Sequence, residues 1–427
     1  MKKNFNPARR SLILSASATA ALGALGATPA FARSKEIKIG YVSPQTGPLA
    51  PFGESDKWVI ASLQDMFKAG IEVGGKKLPV KVLLKDSQSS PNRAGEVAND
   101  LILRDNVDMI LVSSTPETAN PVSDACELNE VPCISTVVPW QSWFFGRKGN
   151  PDKGFNWTYH FFWGLDEALN TFVGLWNGLE TNKKVGMLFP QNIDGETWGN
   201  DSYGLPVPTK KAGYEVFVPG YFQPRTNDFS AQIAEFKKNN CEIIGGITYP
   251  DDLKTFVTQC NQQGFKPKAV TVAAALLFPS SVEAMGPLGN GMSSEVWWTP
   301  AFPFKSSLTG QVSQDIATQW EADTKRQWTQ PLGYSHALLE VAIDILKRSS
   351  NPLDREANRD AMAATNLQSL VGPIKFDGTP HKNICKTPIF GGQWVKGEKW
   401  PYDLKIVDNS VNQLFQPQQK IQPIQWP

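Results

Sequence analysis

Short apolar runs alternate with amphipathic stretches along most of this chain. Residues 37–42, I-K-I-G-Y-V, predict a buried strand, and residues 53–68 then place their apolar side chains on one helical face. Runs like the first predict further strands at residues 78–84, 109–112, 132–135, 184–189, 214–218, 242–247 and 269–273. Amphipathic periodicity predicts helices at residues 91–104, 121–129, 228–238, 313–326 and 335–348. The order of these elements predicts an α/β fold.

The strand–helix rhythm occurs twice, which indicates two lobes. Strands of the second series begin about 30, 28 and 27 residues apart, the length of one strand-plus-helix unit. We therefore predict two doubly wound lobes with parallel sheets, joined by a three-segment hinge near residues 160, 293 and 372. The N-terminal lobe would comprise residues 36–161 and 294–371, and the C-terminal lobe residues 162–293 and 372–427. A ligand would bind between them, where the carboxyl ends of the strands meet.

Residues 1–32 have the pattern of a cleavable export signal. A basic start ends in Arg9 and Arg10, a run of Leu, Ala, Gly and Ser follows, and Ala-Phe-Ala closes the segment at 30–32. The paired arginines favour twin-arginine export; an ordinary secretory signal and an uncleaved anchor are the alternatives. We therefore expect a periplasmic or other extracytoplasmic protein.

Charge and cysteine content exclude two classes of protein. The chain has 42 basic and 41 acidic residues, and without the four basic residues of the leader 38 remain against 41, a net charge of −3. A nucleic-acid-binding protein should be strongly basic, so no nucleic-acid partner is expected. Five cysteines are too few for a disulfide scaffold, and their pairing stays open between Cys126–Cys133 and Cys241–Cys260.

The sequence contains none of the common catalytic motifs. The sequence has no G-x-S-x-G turn, no P-loop, no H-E-x-x-H and no C-x-x-C, and its three histidines lie far apart. We therefore expect no catalytic residues, no metal site and no cofactor.

Small polar residues follow three strands of the first series, at 43–50, 113–115 and 135–136. In a doubly wound lobe these loops meet at one edge and offer hydroxyl and backbone N–H groups. Aromatic residues crowd the region between Trp140 and Trp163, and part of this run is predicted to line a cleft. Together these features predict a binding site for a small organic ligand.

The chain resembles the solute-binding proteins of ABC importers, specifically the leucine/isoleucine/valine-binding group of type I periplasmic binding proteins. The likeness runs in order from about residue 36 to 395. Its motifs are I-K-I-G at 37–40, S-P-x-T-G-P-x-A-x-x-G at 43–53, D-S at 86–87, D-F-S-A-Q-I at 228–233 with Lys237, G-F-K at 264–266 and G-P-I-K-F-D at 372–377.

The resemblance implies a monomer whose two lobes close on a small molecule and then dock on a membrane permease. It places ligand-binding hydroxyls near residues 113–118 and 136–138, and aromatic contacts in the C-terminal lobe. The candidate ligand-binding residues are Ser114, Thr115, Thr118, Thr136, Val137, Trp140, Trp163, Trp198, Tyr249 and Ala273. A periplasmic ligand sensor that presents the same closure to a receptor is an alternative, and the sequence does not separate the two.

One departure from the amino-acid binders bears on the ligand. Those proteins place an acid after the fourth strand of the C-terminal lobe, whereas residues 272–278 contain none. An unpaired ammonium would be costly to bury, so we expect an aromatic or other amphipathic solute that lacks one. Two alternatives remain: an aromatic cage for a quaternary ammonium, or an acid supplied by Asp194, Glu196 or Asp251 that restores an amino-acid ligand.

Overall fold

The computed structural model describes residues 36–427, so the predicted leader at 1–32 lies outside the described residues. The strands of this range are β1 (Ile37–Ser43), β2 (Ile71–Val73), β3 (Lys76–Leu78), β4 (Val80–Asp86), β5 (Met109–Ser113), β6 (Cys133–Thr136), β7 (Thr158–Phe161), β8 (Lys184–Leu188), β9 (Glu215–Phe217), β10 (Ile243–Thr248), β11 (Ala269–Ala274), β12 (Ser293–Val296), β13 (Asn366–Ser369), β14 (Gly372–Lys375), β15 (Ile384–Cys385), β16 (Phe390–Lys396) and β17 (Tyr402–Asp408).

The helices of the same range cover both faces of the main sheets. They are α1 (Asp56–Ser62), α2 (Gln64–Ala69), α3 (Pro91–Leu103), α4 (Pro116–Leu128), α5 (Trp140–Phe144), α6 (Leu165–Asn177), α7 (Ile193–Trp198), α8 (Pro206–Lys211), α9 (Ser230–Lys238), α10 (Pro250–Gln262), α11 (Pro279–Glu283), α12 (Ser313–Thr324), α13 (Pro331–Arg348) and α14 (Arg355–Ala363), with 3₁₀ turns at Ala50–Gly53 and Gly286–Gly289. None of the described helices is both long and apolar enough to cross a bilayer.

Two large sheets confirm the predicted α/β fold. The first has the strand order β15-β7-β6-β5-β1-β4 and is parallel throughout. The second has the order β17-β16-β12-β11-β10-β8-β9, in which β16 and β17 add an antiparallel edge to a parallel sheet. The central strands β5 and β10 are buried along their whole length, as expected where helices cover both faces of a sheet.

The strand pairing shows where the chain changes sheet. β7 belongs to the first sheet and β8 to the second, so the first passage follows Phe161. β12 still lies in the second sheet, and α13 then packs on β5 and β6 of the first. Because β14 forms a hairpin with β13 and β15 pairs with β7, the third passage follows Cys385. The second and third passages thus come later than positions 293 and 372, and the exact lobe boundaries stay a prediction.

Three predicted elements differ from the structure. The helix predicted from residue 53 to 68 is divided at Leu63 into α1 and α2. The helix predicted from residue 121 begins five residues earlier, with Pro116 in its first turn and Pro121 tolerated inside it. The aromatic segment after β6, for which no helix is predicted, forms the short helix α5, whose Trp143 and Phe144 are fully buried. The earlier start of α4 matters, because it brings the helix N-terminus to the cleft.

Candidate functional site

A cavity that spans about 470 Å³, open solvent included, lies where the carboxyl ends of both sheets meet. Its walls come from segments that end or follow β5, β6 and β7 of the first sheet and β8, β10, β11 and β12 of the second. The lining residues are Phe52, Thr115, Pro116, Val137, Pro139, Phe162, Trp163, Asp194, Trp198, Ile247, Ala273, Ala274, Leu277, Glu295 and Trp297. Its position at the carboxyl ends of the strands and its mixed lining of rings and polar groups are the features of a small-molecule site.

The N-terminus of α4 forms one wall of the cavity. Thr115 is the N-cap residue, Pro116 occupies the first turn, and both line the cavity. The Thr115 hydroxyl is buried and has no hydrogen-bond partner among residues 36–427. A free hydroxyl at the positive end of a 13-residue helix favours an electron-rich ligand group at this wall.

Two tryptophans of the cavity wall have buried indole N–H groups without a partner in the described chain. Trp163 and Trp297 both line the cavity, and the Nε1 atom of each is buried and unpaired. Phe162 lies between them, with ring centroids 4.6 Å from Trp163 and 5.3 Å from Trp297. The three rings form an apolar wall that carries two hydrogen-bond donors.

Asp194 supplies an acid from the second sheet's side of the cavity. It lies in α7, is only partly exposed, and accepts a 2.7 Å hydrogen bond from the Tyr249 hydroxyl at Oδ2. The side-chain amide of Asn192 donates to the Tyr249 oxygen at 3.1 Å and so fixes this hydroxyl. Burial raises the pKa of Asp194, and the hydrogen bond from Tyr249 offsets part of that effect.

Glu295 is a second acid in the cavity wall. It lies in β12, is 1% exposed, and accepts a 2.7 Å hydrogen bond from the Ser294 hydroxyl. Burial raises its pKa to about 7, although the hydrogen bond from Ser294 lowers it in part. Asp194 and Glu295 both line the cavity, so the absence of an acid from residues 272–278 does not leave the cavity without one.

The ionisable groups of the described cavity wall are all acidic. Two carboxyl groups line the cavity, and no Lys, Arg or His is found among the described residues of its wall. An anionic ligand would therefore meet two acids without a basic partner, whereas a cationic nitrogen would compensate them.

Two lining residues adopt backbone conformations that residues other than glycine normally avoid. Val137 has φ 69° and Ala274 has φ 64°, both in the left-handed region. The β-branched side chain of Val137 makes its conformation costly, and such strain is found where a binding site requires a particular backbone path. Val137 follows β6 and Ala274 ends β11, so both strained positions lie at the carboxyl ends of strands.

The structure brings five of the ten predicted site residues to the cavity wall. These are Thr115, Val137, Trp163, Trp198 and Ala273.

The other five predicted residues lie behind the wall. The Thr118 hydroxyl donates to Ser114 Oγ at 2.6 Å, and the Thr136 hydroxyl donates to the Phe161 carbonyl at 2.7 Å, so these groups already have partners. Trp140 packs on Phe145 and His381, while Tyr249 reaches the site only through its bond to Asp194.

Sequence reasoning missed several lining residues, among them Phe52, Phe162, Ile247, Leu277, Glu295 and Trp297. The sequence contains one indication of Glu295: it is a single acid that precedes Val-Trp-Trp in a β-rich run. A lone acid in such a run is rarely buried without a functional or pairing reason.

Two α/β lobes around a cavity lined by rings, free donors and carboxyl groups define a ligand-binding protein of the two-lobe class. Residues 36–399 match the family model described as "Periplasmic binding protein", and the chain belongs to this family. Members bind small-molecule ligands and work with ABC transporter permeases; the family is not one of enzymes.

Similar proteins agree with this assignment. The Leu/Ile/Val-binding protein homolog 7 of Brucella abortus is 24% identical over 389 residues, which cover 87% of this chain and 92% of the relative. The structure of LivJ from Streptococcus pneumoniae in complex with isoleucine has a TM-score of 0.67 at 14% identity and covers 87% of this chain and 99% of its own. A solute-binding protein from Rhodopseudomonas palustris in complex with 3,4-dihydroxy benzoic acid has a TM-score of 0.68 at 17% identity, with coverage of 86% and 96%.

Proposed function

We propose that this protein captures a small amphipathic solute carrying a cationic nitrogen and delivers it to an ABC importer. The observation that carries this proposal is the pair of acids, Asp194 and Glu295, in a cavity wall that holds no basic residue within the described chain. A buried cation needs such a partner, and a buried acid without one is costly. The alternative in which Asp194 supplies the missing acid is thus the one that we adopt.

The remaining polar groups fit an electron-rich group on the same solute. Thr115 Oγ1 and the indole nitrogens of Trp163 and Trp297 are buried donors without a partner in residues 36–427. A carboxylate or carbonyl oxygen would satisfy them, at roughly 1–3 kcal/mol for each group that would otherwise stay unpaired. A solute with a nitrogen for the acids and an oxygen for these donors is an amino acid or a close derivative, with its apolar part against the rings.

Lobe closure is the mechanism that we propose for recognition. The donors Thr115 and Trp163 follow strands of the first sheet, whereas Asp194 and Glu295 lie in or after strands of the second. A solute that touches both walls therefore favours the closed form, since only differential affinity can shift the equilibrium. The edge-on contact of Phe52 with Phe278, at 5.0 Å and 83°, joins the two sides beside the cavity.

An aromatic carboxylate is the second candidate ligand, and the three unpaired donors favour it. The Rhodopseudomonas palustris protein binds such a compound, and the Streptococcus pneumoniae protein binds isoleucine. The two acids distinguish the candidates here, because a carboxylate ligand would require both of them to be neutral. We therefore place the amino-acid-like solute first.

We further propose that the protein acts as a monomer outside the cytoplasm, without a nucleic-acid partner. The family assignment and the export pattern of residues 1–32 support this location. Import and periplasmic sensing use the same closure, and the family favours import. Loss of uptake of the bound solute in a strain lacking this protein would test import, whereas unchanged uptake would favour sensing.

Binding of a cationic solute is expected to depend on pH. A cation favours the ionised acids, so it lowers the raised pKa values of Glu295 and Asp194 and releases protons when it binds. With leucine as the probe, affinity should rise about tenfold from pH 5.5 to pH 8, which corresponds to about 1.4 kcal/mol.

Calorimetry at pH 6 in two buffers of different protonation enthalpy measures the proton release directly. Glu295→Gln should reduce the number of protons released. Proton uptake, or affinity that falls as the pH rises, would favour the aromatic carboxylate instead.

A further inference from the structure

A second, larger cavity adjoins the ligand site. It spans about 1300 Å³, open solvent included, and shares the lining residues Pro116 and Asp194 with the inner cavity, so the two spaces are neighbours at these residues. We call it the outer chamber. Its lining residues are Pro116, Asn120, Gln141, Ser142, Phe145, Gly146, Leu165, Asp166, Ile193, Asp194, Thr197 and Tyr203.

The outer chamber concentrates exposed apolar side chains. Phe145, Ile193 and Tyr203 are 49%, 57% and 56% exposed, and all three line it. Within residues 36–427 only six large hydrophobic side chains are at least 49% exposed, so three at one concave site is a cluster rather than chance scatter. Ile193 and Tyr203 lie in or after α7, while Phe145 directly follows α5, so apolar groups face the chamber from two sides. An apolar cluster of this kind marks a surface that a ligand covers.

The polar lining of the outer chamber offers mainly acceptors. Asp166 lies at its wall and accepts a 2.6 Å hydrogen bond from Gln141 Nε2, and Asp194 contributes from the shared edge. Asn120 Oδ1 is buried and has no partner in the described part of the chain. No Lys, Arg or His lines the chamber among these residues. A ligand portion with an N–H group and an apolar end matches this wall, whereas a free carboxylate does not.

We propose that the outer chamber binds the distal half of an elongated solute whose cationic nitrogen lies beside Asp194 in the inner cavity. This inference rests on the proposed function and specifies its substrate class. The solute would carry an amide-type N–H near Asn120 and an aromatic or aliphatic end against Ile193, Tyr203 and Phe145. A free amino acid would fill only the inner cavity.

Two probes of equal charge test the proposal. Leucinamide and leucine anilide differ only by a phenyl ring on the amide nitrogen, so the inner cavity meets the same groups in both. We expect the anilide to bind about tenfold or more tightly than leucinamide, because its ring covers apolar surface in the outer chamber. Calorimetry with the full mature chain measures both constants.

Variants at exposed positions separate the two cavities. Ile193→Ser and Tyr203→Ser should each remove most of the anilide's advantage and leave leucinamide binding unchanged. The matched control is Leu128→Ser, since Leu128 is 84% exposed and lines neither cavity. Equal affinity of the two probes for the unaltered protein, or equal loss of both in the variants, would overturn the outer chamber as a subsite while leaving the proposed function intact. Failure of the unaltered protein to bind either probe would instead contradict the proposed function and the inference with it.

Discussion

Replacing Asp194 with asparagine should weaken the binding of a cationic solute by about 100-fold or more. Removing one partner of a buried charge pair costs about 2–5 kcal/mol, because the other charge stays in the closed cleft without compensation. Asparagine keeps the size of the side chain and an oxygen that can accept the hydrogen bond from Tyr249. The loss should therefore appear in affinity rather than in folding.

The matched control for this change is Asp201→Asn. The Asp201 side chain is 90% exposed, lies seven residues away and lines neither cavity. Asp201→Asn should bind the solute as the unaltered protein does, and neither variant should unfold at a lower temperature than the parent in the absence of ligand. Unchanged affinity in Asp194→Asn would remove Asp194 from the account of recognition.

Glu295→Gln should weaken binding and yet stabilise the ligand-free protein at alkaline pH. Glu295 has a folded pKa of about 7 against an ordinary value of 4.5, so above pH 7 the folded state holds an ionised acid that burial disfavours. The folded state binds more protons than the unfolded state between these two values, and stability therefore falls as the pH rises through them. The difference between the two pKa values corresponds to about 3 kcal/mol of lost stability above pH 7, and the glutamine variant would not lose it.

Urea unfolding of the parent and the variant at pH 5 and pH 8 measures this effect. The variant should gain in free energy of unfolding at pH 8 and much less at pH 5. Glu72→Gln, the same change at an exposed position of β2, should show no such gain. A destabilised Glu295→Gln at pH 8 would mean that the folded protein requires the ionised carboxylate even without a ligand.

The fold could be predicted from the sequence because its strands are buried on both faces. Such strands are continuous apolar runs, as at β5 and β10, and the spacing between them reveals each strand–helix unit. The hinge was harder to locate. β15 has only two residues, Ile384 and Cys385, and its membership of the first sheet depends on pairing with β7, which no local pattern reveals.

The site could be predicted only in part, because position after a strand does not say where a side chain points. Thr115 and Thr136 both end or follow strands of the first sheet, yet Thr115 lines the cavity and has an unpaired hydroxyl, whereas the Thr136 hydroxyl bonds to the Phe161 carbonyl. The sequence does offer Asp194, as one of three acids that could lie near the ligand. No local pattern places Glu295 at the site, because it lies in β12, whose pairing with β11 depends on the tertiary structure.

Calorimetry with three compounds of one shape tests the central claim most directly. Leucine, 3-methylbutylamine and 4-methylpentanoate share a branched apolar end and carry, respectively, both charges, only the cation and only the anion. If Asp194 and Glu295 recognise a cationic nitrogen, leucine should bind most tightly, the amine should bind more weakly, and the carboxylate should show no heat of binding. Binding of 4-methylpentanoate at least as tight as that of 3-methylbutylamine would contradict the account.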